Sequence, residues 1–172
     1  MLVISFIGVS LLGGYGCSSH LSYKAGLYTK KVSGKVSIEK PDDANRPFIL
    51  VLDYHRTMME MSDGYLSRVT AFIIRPDEKG HYRAPFSADT VRLELMFYAY
   101  NRQIVSQAFR RSLGIGGYQF DIELKEDNDW RNTYYLIVKP TLIEYITEKR
   151  YRMSDFDRYY IGEWLTEADE RF

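Results

Sequence analysis

The stretch Val91-Arg92-Leu93-Glu94-Leu95-Met96-Phe97-Tyr98-Ala99-Tyr100 decides the fold. Every second side chain, from Val91 through Leu93, Leu95, Phe97 to Ala99, is apolar, and those between are Arg92, Glu94, Met96, Tyr98 and Tyr100. Successive residues of a strand point to opposite faces, so this is a β-strand with one face in a core and a charged, aromatic exterior. The same period of two recurs on either side. Val32, Gly34, Val36 and Ile38 alternate with Ser33, Lys35, Ser37 and Glu39, while Tyr118, Phe120, Ile122 and Leu124 alternate with Gln119, Asp121, Glu123 and Lys125. Phe48 to Leu52 is continuously apolar, as a central strand requires.

Val69–Ile74, His81–Ala84, Ile104–Phe109 and Tyr134–Lys139 supply the remaining strands, separated by Pro41-Asp42-Asp43, Pro76-Asp77-Glu78-Lys79-Gly80 and Gly114-Ile115-Gly116-Gly117 turns. The second turn is expected to return His81–Ala84 antiparallel to Val69–Ile74. Thr57–Ser67 breaks the rhythm and reads as a loop or short helix. No helical crossover separates the strands, which argues against a parallel α/β sheet. The expected fold is all-β, an antiparallel β-sandwich of seven or eight strands with a C-terminal helix.

Past Pro140 the pattern changes. Ser154 is an N-cap candidate with Asp155 and Asp157 in the first turn, and Phe156, Tyr160, Ile161, Trp164, Leu165 and Ala168 share one face at helical spacing. Residues 140–172 are therefore expected as a helical extension packed on the sandwich, docked by Phe156, Tyr160 and Trp164. An exposed, partner-binding helix is the alternative.

Composition narrows the function classes. Lys plus Arg and Asp plus Glu are each 23, so the formal charge is zero, and no run of like charge offers a nucleic-acid footprint. The chain has 15 Tyr and 9 Phe, which suit strands and half-buried surfaces. His20, His55 and His81 fall in no metal-ligand spacing, and His55 beside Asp53 reads as a structural histidine. Ser62-Asp63-Gly64 and Ser112-Leu113-Gly114 read as turns, not nucleophile elbows, and Gly114–Gly117 lacks the Lys-Ser/Thr of a phosphate loop. No cofactor, no metal and no catalytic residue is expected.

Met1–Gly16 carries no charged side chain and runs into Cys17, the one cysteine of the chain, followed by Ser18 and Ser19. The apolar stretch is too short for a permanent transmembrane helix. It resembles a bacterial lipoprotein signal. The resemblance implies cleavage before Cys17, lipidation of its thiol, acylation of its amine and, with Ser18 next, sorting to the outer membrane facing the periplasm. The alternative is a buried apolar first strand with an incidental free cysteine. The domain reading is residues 1–16 signal, 17–31 lipidated tether, 32–139 sandwich and 140–172 helical extension.

Val32-Ser33-Gly34-Lys35-Val36, Asp77-Glu78-Lys79-Gly80-His81-Tyr82-Arg83 and Ala88-Asp89-Thr90-Val91-Arg92-Leu93-Glu94-Leu95 are similar to the carboxypeptidase-regulatory-like or transthyretin-like sandwich, an immunoglobulin-like architecture. The resemblance spans Val32–Leu124 and implies a fold without catalytic residues. The candidate partner-binding residues are Arg92, Glu94, Tyr98 and Tyr100 on the outer strand face, with Trp164; coverage of that face by the C-terminal helix is the competing reading. The expected function is a lipid-anchored, non-enzymatic scaffold or interaction module of the cell envelope, with an envelope protein as partner. The alternatives are a glycan-binding module that stacks sugars on Tyr and Trp, and the sandwich lipoprotein that anchors type VI secretion machinery, similar in size, anchor and fold class. A solvent-lined aromatic groove would favour glycan; a flat apolar patch would favour protein.

Overall fold

The computed structural model describes residues 31–40, 45–55, 68–111 and 117–172. The leader, Cys17, the tether before residue 31, the 41–43 turn, the 57–67 loop and the glycines at 114 and 116 lie outside the described residues. Within them the chain forms strands β1 (Lys31–Ile38), β2 (Phe48–His55), β3 (Arg68–Ile74), β4 (His81–Pro85), β5 (Thr90–Tyr98), β6 (Val105–Arg110), β7 (Tyr118–Gln119) and β8 (Ile122–Leu124). Helices α1 (Trp130–Thr133) and α2 (Lys139–Thr147) follow, joined by a π-helical turn (Tyr134–Val138), then β9 (Tyr151–Arg152) and α3 (Asp155–Glu170).

Two mixed sheets result. The five-stranded one runs β6-β5-β2-β3-β9, antiparallel except for the parallel β3–β9 pair. In the other, β1 pairs antiparallel with β4 and parallel with both β7 and β8. The expectation of wholly antiparallel sheets is corrected, because side-chain alternation records which face is buried and carries no information on strand direction. The expected β3–β4 hairpin is corrected as well. After the Asp77–Gly80 turn, β4 joins β1 in the second sheet, and the outer edge of β3 pairs instead with β9.

Two apolar layers hold the chain together, one on each face of the five-stranded sheet. Ile49, Val51, Leu93, Leu95, Phe97 and Phe109 meet Val32, Val36, Tyr82, Ala84 and Leu124 of the second sheet. Phe120 and Ile122, expected in the core, are half-buried against this layer. On the opposite face Phe48, Leu50, Leu52, Met96, Tyr98 and Tyr100 lie beneath the helices. Coverage of both faces explains why β2 is apolar without alternation. It also corrects the reading of β5: its aromatic face is interior.

Tyr134–Lys139, read as a last strand, is helical, and the helical part begins at Trp130 instead of residue 140. A short apolar run such as YYLIV does not distinguish strand from buried helix by periodicity. Trp130, Tyr134, Val138 and Leu142 are all buried at intervals of four. On a regular α-helix, at about 100° per residue, that spacing would drift roughly 40° per step off the buried side. The wider π turn takes up this drift, with Lys139 N–H donating to the Tyr134 carbonyl five residues back. Pro140 follows directly, near the start of α2.

In α3, Ser154 Oγ caps the helix by accepting from Asp157 N–H at 3.1 Å. Ile161, Trp164, Leu165 and Ala168 form its buried face, with Tyr160 half-buried beside them. Phe156 does not dock as expected; it lies on the outside, 59 % exposed.

Gly34 sits at a close approach in β1. A Cβ there would run into the Phe120 carbonyl oxygen, which also accepts from the Tyr82 hydroxyl at 2.7 Å, at the kink between β7 and β8. Gly34→Ala is therefore expected to push these strands apart and lower the urea midpoint, although alanine is ordinarily the better strand residue. Leu95→Ala, at a fully buried position, should cost about 2–5 kcal/mol in the same unfolding experiment. Arg92→Ala, whose side chain is partly solvated, should cost a small fraction of that.

Candidate functional site

The residues singled out on the outer face of β5 separate into two groups. Tyr98, Tyr100 and Trp164 are buried. Tyr100 and Trp164 stack with ring centroids 4.6 Å apart and planes 4° from parallel, and Phe48 packs edge-on to Trp164 at 5.2 Å. The Tyr100 hydroxyl lies 3.1 Å from both the Trp164 carbonyl and Glu167 Oε2, and the Trp164 indole N–H donates to the Arg46 carbonyl at 3.3 Å. Burial pushes the phenols of Tyr98 and Tyr100 well above the ordinary tyrosine range. These three rings hold helix to sheet and present no surface to a partner or sugar, so that role is withdrawn for them.

Arg92 and Glu94 remain near the surface but engage each other. Arg92 Nη2 donates to Glu94 Oε2 at 2.7 Å and its guanidinium lies over the Tyr54 ring at 5.1 Å. Glu94 also accepts from Tyr54 at 3.3 Å and Ser106 at 3.1 Å. The pair thus engages itself at the rim of the helical layer, although the buried Arg92 Nε has no hydrogen-bond partner among the described residues.

The apolar surface lies elsewhere, on the outer side of the α1–α2 rod. Leu136 is 77 % exposed and Ile137 55 %, with Tyr135 and Ile143 beside them. Leu136, Pro140 and Ile143 recur at helical spacing on the side away from Tyr134, Val138 and Leu142. Tyr135 extends the patch by packing on Tyr134 at 5.0 Å and on Phe172 at 5.8 Å. Together these side chains form an apolar patch open to water. Periodicity could have revealed it had the run been read as helical.

A second feature is a polar cluster where β2 ends. His55 Nε2 is 3.0 Å from Thr70 Oγ1 and 3.6 Å from Asp53 Oδ2, while Nδ1 stands 3.1 Å from Asp89 Oδ1 without hydrogen-bond alignment. Ser87 Oγ bonds to Asp89 at 2.8 Å and reaches Asp53 at 3.4 Å. Asp53 is buried with Oδ1 unpartnered, and burial raises its pKa against the opposing pull of a Thr90 hydrogen bond and the nearby His55. Asp89, hydrogen-bonded by Ser87, is held below the usual carboxylate range. The two carboxyls are thus shifted in opposite directions from the ordinary aspartate value. Ser87 bonds to carboxylates and Thr90, not to the imidazole, so the cluster contains no activated serine. His81 pairs with Asp77 in the exposed turn at 3.4 Å, and His20 lies outside the described residues. Among the described residues no three or more His, Cys, Asp or Glu surround a common metal position, and no helix is long and apolar enough to cross a membrane.

No family model and no curated protein sequence matches the chain. Among solved structures it is similar to 3-chlorocatechol 1,2-dioxygenase from Rhodococcus opacus 1CP, with 8 % identity and a TM-score of 0.38 over 58 % of this chain and 61 % of that one. The dioxygenase domain of a dioxygenase–carbohydrate-binding protein fusion from Streptomyces sp. SirexAA-E gives 13 % identity and a TM-score of 0.36 over 56 % and 79 %. A mutant catechol 1,2-dioxygenase from Acinetobacter radioresistens gives 12 % and 0.37 over 63 % and 55 %. The chain spans about three fifths of the first of these. The expectation of a non-enzymatic chain is corrected by these neighbours, since all three are enzymes. At TM-scores below 0.4 the likeness carries no activity, substrate or residue role to this chain.

Asp53 is expected to titrate above, and Asp89 below, the ordinary aspartate range in a carboxyl-resolved NMR titration. A carboxyl with raised folded-state pKa binds more protons folded than unfolded, so its contribution to stability falls as pH rises from the ordinary value through the raised one. Asp53→Asn should remove that fall: urea midpoints of wild type minus variant should slope downward with pH across that interval. A flat difference would place the Asp53 carboxyl in water.

Proposed function

We propose that this chain is a lipid-anchored protein of the cell envelope, tethered through Cys17, whose folded part is an interaction module docking on an envelope protein through the outer face of the α1–α2 rod. The observation that carries the reading is the exposed Leu136–Ile137–Ile143 patch. It is an exposed apolar patch, which favours the protein-partner reading, and burying such side chains is the usual source of association free energy. The rings that would have stacked on sugar are sequestered beneath the helices, which weighs against glycan recognition by Tyr98, Tyr100 and Trp164.

The anchor is supported by the uncharged Met1–Gly16 leader ending at the chain's one cysteine. Two or more acyl chains hold firmly, since each buried methylene contributes about 0.8 kcal/mol and a single chain binds only marginally. The finer reading of the sheets as a transthyretin-like sandwich belongs to the same proposal. It is supported by the glycine at the centre of β1 and by the Asp77–Gly80 turn, in which Asp77 Oδ1 accepts from the backbone N–H groups of Lys79 and His81 at 2.9 and 2.7 Å.

Cys17→Ser should abolish incorporation of radiolabelled fatty acid and leave the leader uncleaved; label retained in the variant would refute lipidation. A photo-crosslinking residue at position 136 should give a discrete adduct in the native envelope, lost on Ile143→Asp, while the same residue at position 125 gives none. Equal crosslinking from both positions would remove the patch as the docking face.

A further inference from the structure

A groove of about 620 Å³ opens where the start of β2, the end of β3 and the Asp77–Gly80 turn come together against α3. Its volume is in the range of small-ligand sites. Four cationic side chains line it, Lys35, Arg46, Arg75 and Lys79, against two carboxylates, Asp77 and Glu78. Arg46 Nη1 is 3.3 Å from Glu167 Oε1. Among the described residues Lys35, Arg75 and Lys79 have no carboxylate within ion-pair distance. The Asp77 carboxylate accepts from the N–H groups of Lys79 and His81 in its own turn, which holds it below the usual range. Four cations against Asp77, Glu78 and the Arg46-paired Glu167 leave the groove an excess of one positive charge.

Arg75 is the organising group. Its guanidinium lies over the rings of Tyr160 at 4.8 Å and Phe156 at 5.2 Å, which accounts for Phe156 standing outside the helical core. Contact with two ring faces restrains the side chain while leaving its N–H edges without hydrogen-bond partners among the described residues. Much of the conformational entropy of binding an oxyanion is then already lost before the ligand arrives. A planar fork held in place in a groove that two lysines also line matches phosphate, which accepts several charge-assisted hydrogen bonds at once.

We propose that this groove binds a phosphate-bearing ligand of sugar-phosphate size, with Arg75 as the clamp and Lys35 and Lys79 neutralising the remaining charge. The site stands independently of the lipid anchor and of the α1–α2 docking face, so its test separates from theirs.

The test is calorimetric titration of the full chain with glucose 6-phosphate, with glucose and inorganic phosphate as controls. Saturable binding of glucose 6-phosphate, absent with glucose and weakened by salt, is expected. Arg75→Gln should weaken it roughly ten- to a hundredfold, the effect of losing one or two charge-assisted hydrogen bonds. The Lys35→Gln/Lys79→Gln pair, at solvent-facing positions, should weaken it with unchanged melting temperature and a smaller salt dependence, which keeps the test decisive if Arg75→Gln misfolds. Competition by phosphatidylglycerol vesicles would assign the phosphate to a lipid headgroup, and lack of competition to a soluble sugar phosphate; the site stands on either. Absence of binding to glucose 6-phosphate, inorganic phosphate and vesicles alike, or equal affinity in wild type and both variants, would overturn it.

Discussion

The stacking of Trp164 on Tyr100 is the contact on which the rest of the structure depends. It joins the last helix to the residue just beyond β5 and seals a face that would otherwise present Phe48, Leu50, Leu52, Met96 and Tyr98 to water. An aromatic pair adds about 0.5–1.5 kcal/mol beyond the area it buries. The larger effect is that the hydroxyls of Tyr100 and Tyr134 find polar partners on α3. Tyr100 reaches the Trp164 carbonyl and Glu167, and Tyr134 reaches the Leu165 carbonyl and Asp169, each at 3.0 to 3.1 Å. Burying those hydroxyls without partners would offset much of the apolar gain.

The same contact distributes the functional surfaces. Once the aromatic face of β5 lies inside, the helices present outward the apolar side of the α1–α2 rod and, at the N-terminal part of α3, Phe156 and Tyr160 against Arg75. Lys139 ties the two helical segments together, with Nζ 2.8 Å from Asp169 Oδ2, and this hydrogen bond is the main reason Asp169 titrates low. The pair is partly solvated and contributes modestly to stability. Its consequence is positional, since it braces the rod that carries the exposed patch.

Strand content was legible because alternation is a local property. Leu93, Leu95 and Phe97 occupy the face their spacing assigns them, and Ser154 caps the helix as its side-chain chemistry dictates. The candidate site was legible only in part. Tyr98, Tyr100 and Trp164 form a coherent set, but as an internal seam: an aromatic residue on the second face of a strand looks the same in sequence whether water or a helix covers it. Leu136 and Ile137 were hidden by the misreading of YYLIV, and Arg75 by its ordinary setting before Pro76. A lone arginine acquires meaning from the rings brought over it.

The sequence by itself determined which residues alternate, where the chain turns, that the C-terminal segment is an amphipathic helix, and that an uncharged N-terminal stretch runs into the chain's one cysteine. These follow from side-chain chemistry and spacing over a few neighbours. Only the tertiary structure decided that β1 runs parallel to β7 and β8, that β4 leaves β3 for the other sheet, that Tyr134–Val138 coils instead of extending, and that Arg75, Lys35 and Lys79 share one groove. The physical reason is the same in each case. Strand direction, burial of a second face and convergence of distant charges are set by which surfaces pack together, and packing joins residues whose separation along the chain leaves no mark on local periodicity.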